Sequence, residues 1–80
     1  MELNRLIPEL DASDFARSLA FYTEILGFHI AYQRPERQFA MLEYQGCQMM
    51  LEQANDIWKT GELEYPFGRG VNIQMLVEDI

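Results

Sequence analysis

Of the side chains able to carry covalent or metal chemistry, this sequence holds one histidine, His29, and one cysteine, Cys47. A structural zinc site takes four Cys or His ligands, so these two residues cannot build one, and a single thiol excludes an internal disulfide. Nucleophilic catalysis requires a hydroxyl or thiol activated by a neighbouring base. Ser13, Ser18 and Cys47 have no such base beside them in sequence. Cys47 opens the apolar run "CQMML", without the basic neighbour that lowers a thiol pKa, and reads as a small hydrophobe of a strand. His29 has no partner in any metal motif and reads as a structural residue where a strand begins.

Acidic and aromatic side chains offer more. Thirteen Asp and Glu against six Lys and Arg leave a net charge of -7. That balance opposes binding to a phosphate backbone, which depends on Lys and Arg, and favours a cationic ligand. Tyr32, Phe39, Tyr44, Trp58, Tyr65 and Phe67 supply faces on which an aromatic or cationic small molecule can stack. Phe39 and Tyr44 sit in strand-like runs, where core packing is the competing role. Trp58 and Tyr65 lie in a polar loop, as ligand contacts or as clamps holding that loop to the fold.

The elements that must position these groups follow from periodicity. At 49% hydrophobic and 12% aromatic, the chain has the composition of a packed core rather than of a disordered segment. Leu3, Leu6, Ile7 and Leu10 mark a strand over residues 3–10, interrupted by Pro8 and so expected at an edge or bulge. Asp11, Ser13 and Asp14 can cap a helix, and Phe15, Leu19, Tyr22 and Leu26 recur at helical spacing until Gly27 stops it. That phase turns Leu19 and Tyr22 inward and Arg17 and Glu24 outward. Strands are expected over Phe28–Tyr32, Phe39–Tyr44 and Cys47–Leu51, joined by turns at "RPER" and "YQGC". Residues 53–70, punctuated by Gly61, Pro66, Gly68 and Gly70, read as a long loop, and residues 71–77 as a further strand. There the opening pattern returns: Leu10 aligns with Met75, Ala12 with Val77, Asp14 with Asp79 and Phe15 with Ile80. The expected fold is therefore α+β: a βαβββ module over residues 1–55, a linker loop over 56–70, and the first strand of an incomplete second module over 71–80.

"LIPELDASDFARSLAFYTEILGF" resembles the opening of the glyoxalase, bleomycin-resistance and extradiol-dioxygenase group, the vicinal oxygen chelate superfamily. Asp14, Ser18, Phe21, Tyr22, Leu26, Gly27 and Phe28 match its first-module pattern, and "YPFGRGVNIQMLVED" resembles the entry into its second module, particularly in the bleomycin-resistance-like branch. The resemblance implies paired βαβββ modules whose curved sheets enclose a cavity, commonly in a dimer. It also implies a divalent metal held by His and Glu from four strands. Mapped here, those positions fall on Ile7, on Asn72 and near Glu52, with the fourth on a strand beyond the pattern. Isoleucine has no donor atom and an amide is a poor substitute for imidazole. Glu52 is thus the lone metal candidate, and no metal or other cofactor is expected.

The leading expectation is a non-enzymatic protein that binds a small molecule, cationic or aromatic, in the manner of the bleomycin-resistance proteins. Two alternatives stay open: a metal-dependent glyoxalase- or dioxygenase-like enzyme whose ligands are completed by a partner chain, and a structural half-module without a ligand. A homodimer or higher homo-oligomer is expected, because a single module leaves one sheet face uncovered. No apolar stretch approaches the ~20 residues of a membrane span. The start "MELNRLIPEL" lacks the basic and apolar regions of a signal peptide. The chain is accordingly expected in the cytoplasm, with neither nucleic acid nor membrane as a partner.

Overall fold

The computed structural model describes residues 2–55, 61, 62, 64, 67 and 70–78. Its elements run β1 (Glu9–Ala12), α1 (Phe15–Ala20), β2 (His29–Arg34), β3 (Phe39–Tyr44) and β4 (Cys47–Gln53). The four strands form one sheet in the order β1-β4-β3-β2. β1 lies parallel to β4, while β2, β3 and β4 pair antiparallel. This is the expected βαβββ arrangement. Among the described residues no helix is long and apolar enough to cross a membrane.

β1 begins at Glu9, not at residue 3 as the apolar pattern suggested. Pro8 has no N–H to donate, so the ladder uses only its carbonyl, which accepts from the Met50 amide at 2.8 Å. Upstream of it the chain is tied through side chains instead. The Asn4 amide donates to Gln48 Oε1 at 2.8 Å, and Asn4 Nδ2 donates to the Gly46 carbonyl at 2.9 Å.

Asp14 caps α1 from an extended backbone, its Oδ1 accepting from the Arg17 amide at 3.2 Å. The helix does not stay regular to Leu26. From Phe21 to Ile25 it widens into a π-helical turn, with the Leu26 amide reaching the Phe21 carbonyl at 3.2 Å. Thr23 Oγ1 donates back to the Leu19 carbonyl at 2.9 Å within this stretch. The inward phase nevertheless holds: Leu19 and Tyr22 pack on the core, and Arg17 and Glu24 are exposed. Gly27 ends the helix at φ +87°, where an added Cβ would stand 3.5 Å from the Tyr44 ring.

α1 covers one face of the sheet. Ala12, Phe15, Phe28, Ala40, Leu42, Met49 and Leu51 form the buried cluster there, with Leu10 and Tyr44 packed against it. Gln53 closes this layer at the end of β1, its Oε1 accepting from the Phe15 amide at 2.8 Å and its Nε2 donating to the Ser13 carbonyl at 3.0 Å. Because strand neighbours alternate between faces, the opposite face receives Glu9, Asp11, Met50, Glu52, Phe39 and Met41. No helix covers that side among the described residues.

β2 carries the irregularity that matters most. His29 and Ile30 pair with Glu43 and Leu42, but Tyr32 pairs with Met41, leaving Ala31 as an extra residue. An unbroken ladder would set Tyr32 against Ala40 on the helix side. The bulge turns it onto the open face beside Phe39.

Residues 71–77, expected as a strand, pair with no other strand among the described residues. A strand is stable only against a neighbour that takes its backbone groups. Val71, Ile73 and Leu76 remain exposed here. The segment is tied at its end through a side chain, Gln45 Oε1 accepting from the Glu78 amide at 2.6 Å and Nε2 donating to the Glu78 carbonyl at 3.2 Å.

Candidate functional site

Glu52 is the centre of the open face. It lies on β4 directly between Asp11 of β1 and Phe39 of β3, and is only 2% exposed. A carboxylate so enclosed normally has every oxygen satisfied. Here Arg37 Nη2 approaches Oε2 at 3.5 Å, while Oε1 has no partner among the described residues. Well-formed Arg–carboxylate bonds are shorter, about 2.7–2.9 Å, and often paired. Burial without full satisfaction leaves this carboxylate short of a donor.

The turn and strands around it build a concavity of about 230 Å³, lined by Glu9, Tyr32, Arg34, Arg37, Phe39 and Glu52. Arg37 arrives from a single 3₁₀ turn, Pro35–Arg37, which Gln38 terminates in the left-handed conformation at φ +49°. The Gln38 carbonyl accepts from the Gln53 amide at 3.0 Å and fixes the turn beside β4. The Tyr32 and Phe39 rings lie 5.9 Å apart and tilted by 42°. They form one aromatic wall.

Parallel pairing adds two acids beside Glu52. Glu9, Asp11 and Glu52 place ligand oxygens within 4.8 Å of one another. Partial burial, then the charges of Glu52 and Asp11, push the Glu9 carboxyl above its ordinary value, and Arg37 opposes the rise only in part. Three carboxylates thus share this corner with Arg37, while Arg34 lines the same concavity.

The metal implied by the sequence resemblance does not fit this donor set. Ile7 is half-buried and has no donor atom, and Asn72 lies in the exposed 71–78 segment. His29 stands at the far end of the face, Nε2 3.3 Å from Glu43 Oε1 and 64% exposed. Glu52 thus has oxygen neighbours but no imidazole, a set suited to hard cations rather than to the His/Glu chemistry of transition metals.

Tyr32, Phe39 and Glu52, singled out from sequence, converge on one concavity. Tyr44 does not join them: it occupies the helix face, its ring 5.6 Å from that of Phe28. Phe67 is half-buried in a different space, about 620 Å³, with Leu10, Ser18, Tyr22, Val71 and Ile73. Trp58 and Tyr65 lie outside the described residues. Glu9, Asp11 and Arg37 escaped the sequence reading. The signal for the first two was the alternation Glu-Leu-Asp-Ala, polar on one face and apolar on the other, obscured by assigning Asp11 to the helix cap.

A sequence model of the Glyoxalase/Bleomycin resistance protein/Dioxygenase superfamily matches residues 8–71. Among solved structures, the chain is similar to a glyoxalase/bleomycin resistance protein/dioxygenase superfamily member from Vibrio splendidus 12B01. The two are 36% identical with a TM-score of 0.60, over 80% of this chain and 48% of that one. It is also similar to an integron cassette protein from the mobile metagenome of the Halifax Harbour sewage outfall. There the identity is 23% and the TM-score 0.57, over 71% of this chain and 52% of that one, a likeness of fold alone. The chain spans about half the length of both structures. No curated protein matches it.

Proposed function

The chain belongs to the glyoxalase/bleomycin resistance protein/dioxygenase superfamily, and from that premise we propose that it is a non-enzymatic module that binds a cationic organic small molecule on the open face of its sheet. The observation that carries this reading is Glu52, buried and half-satisfied beneath the Tyr32–Phe39 wall. A carboxylate in a low-dielectric site attracts a cation more strongly than one in water, and an aromatic wall adds stacking and cation–π attraction. The net charge of -7 favours the encounter. Among the described residues the pocket combines carboxylates with an aromatic wall, a lining that supports sequestration of a cation best.

Among the described residues no helix covers this face, and we assign its cover to a second copy of the chain. Closed two-fold pairing would set this surface against itself and enclose the ligand between copies. Light scattering at micromolar concentration tests the assembly: a folded monomer of 9.4 kDa would refute it.

Calorimetry with benzylguanidinium and benzyltrimethylammonium, against neutral benzyl alcohol, tests the ligand class. At least one cation should bind more tightly than the alcohol, and Glu52→Gln should abolish the difference. Equal binding of cations and alcohol would overturn the reading. The rival within the superfamily, a metal-dependent enzyme completed by another chain, has Glu52 as its anchor. Stoichiometric uptake of a divalent ion, lost in Glu52→Gln and accompanied by turnover, would establish it instead.

A further inference from the structure

Arg37 holds Glu52 in a way that identifies what else would. Its contact is single, 3.5 Å long, and made by a side chain 42% exposed, whereas the carboxylate it touches is 2% exposed. The backbone of the turn is anchored through Gln38, so the guanidinium can leave without the turn moving. The second carboxylate oxygen has no hydrogen-bond partner among the described residues. We infer that Arg37 is a tethered stand-in for the ligand: the site takes a guanidinium or amidinium group, which forks both oxygens of Glu52 and displaces the Arg37 side chain toward solvent.

The inference rests on the cation-binding reading above and narrows it. A planar cation with two parallel N–H donors matches the two oxygens of a carboxylate, here buried and reached as the Arg37 side chain withdraws, and its flat faces suit the tilted Tyr32–Phe39 pair. A quaternary ammonium has no N–H to give and would leave Oε1 as unsatisfied as before. Glu9 and Asp11, within 4.8 Å of Glu52 through their oxygens, supply further acceptors for the outer edge of the group. Arg34, on the same wall, opposes a ligand with two positive ends and favours one whose remainder is neutral. Displacement of an internal competitor weakens apparent affinity by the fraction of molecules in which the competitor is out.

The experiment uses the full chain and two probes, benzylguanidinium and benzyltrimethylammonium. The first should bind about tenfold more tightly than the second, and Arg37→Gln should tighten benzylguanidinium by about another tenfold, as expected when the side chain occupies the site in about nine molecules of ten. Glutamine keeps an N–H donor for Glu52 and so protects folding. In the wild-type protein the Arg37 guanidinium NMR resonances should move toward those of free arginine as benzylguanidinium is added, a readout that needs no variant. Equal affinity for the two cations would overturn the guanidinium assignment while leaving the cation-binding reading intact. Weaker binding by Arg37→Gln, or unmoved Arg37 resonances at saturation, would show that Arg37 is not displaced. If neither cation binds, both readings fall together.

Discussion

Replacing Glu52 by glutamine should make the protein more stable while destroying its proposed site. In the free chain the carboxylate is 2% exposed, has one oxygen unpartnered, and stands beside the acids Glu9 and Asp11. A buried polar atom left unsatisfied costs about 1–3 kcal/mol, and more when it is charged. Against this, the contact with Arg37 is long and its guanidinium half-solvated, so it contributes at most about 1 kcal/mol. Glutamine has nearly the same shape, keeps an acceptor for Arg37, and turns a donor toward the neighbouring acids. The balance is a gain of about 1–2 kcal/mol, which corresponds to a rise of roughly 4–16 °C in Tm for a domain of this size. Urea unfolding at pH 7 and at fixed protein concentration measures it, with an unchanged m-value as the check that the same surface is exposed. A variant less stable than wild type would refute the reasoning, because it would mean that the carboxylate is better paired than its geometry indicates. Stability gained on removing a charged group is the usual trade between stability and function at a binding site.

Glu9 gives the pH dependence. Its carboxyl is held above the ordinary 4.5, so the fold favours the protonated form; its contribution is complete below about pH 4.5 and is lost as pH rises through the raised value. Glu9→Gln should therefore be more stable than wild type at pH 7, with the difference closing toward pH 4, as urea midpoints across that range would record. Leu42, fully buried in the cluster under α1, should cost about 2–5 kcal/mol when cut to alanine, read by the same unfolding assay. Tyr32→Ala should strip one side of the aromatic wall beside Phe39 and lower affinity for benzylguanidinium relative to the benzyl-free methylguanidinium. An unchanged ratio of the two affinities in that variant would show that Tyr32 is not part of the wall.

What could be read along the chain was local. β3 has the bounds that alternation suggested, Phe39–Tyr44, because its two faces meet unlike surroundings and left-handed residues, Gln38 and Gln45, fix its ends. The helix phase was legible for the same reason, since Phe15, Leu19 and Tyr22 must all reach one core. The π-helical turn was not, because nothing in the spacing of Phe21–Ile25 distinguishes a ladder that widens by one residue. The candidate site was half legible. Tyr32, Phe39 and Glu52 stood out by residue type, but the company of Glu52 depends on the register Asp11↔Glu52, a pairing set by tertiary contact across the whole module. The bulge at Ala31 was equally hidden, although it decides which way Tyr32 points. Tyr44 shows the opposite failure: its aromatic character suggested a ligand contact, and its strand parity puts it in the core.

The parallel pairing of β1 with β4 also orders events in time. β2, β3 and β4 meet through short turns, whereas Glu9–Ala12 must find Met50–Gln53 after the intervening helix and hairpins have closed the distance. Non-local parallel contacts reward the chain late, once the loop entropy has been spent. β1 is moreover an edge strand of four residues, held to β4 by a short parallel ladder that the Ala54 amide extends by donating to the Ala12 carbonyl at 2.8 Å. It should be the last strand to dock and the first to detach in partial openings of the native protein. Two of the three clustered acids ride on it. The pocket is thus assembled at the final step of folding, and an occupant that bridges Glu9, Asp11 and Glu52 would act as the clasp of that step, slowing amide exchange along β1 before it altered the exchange of the β3–β4 hairpin.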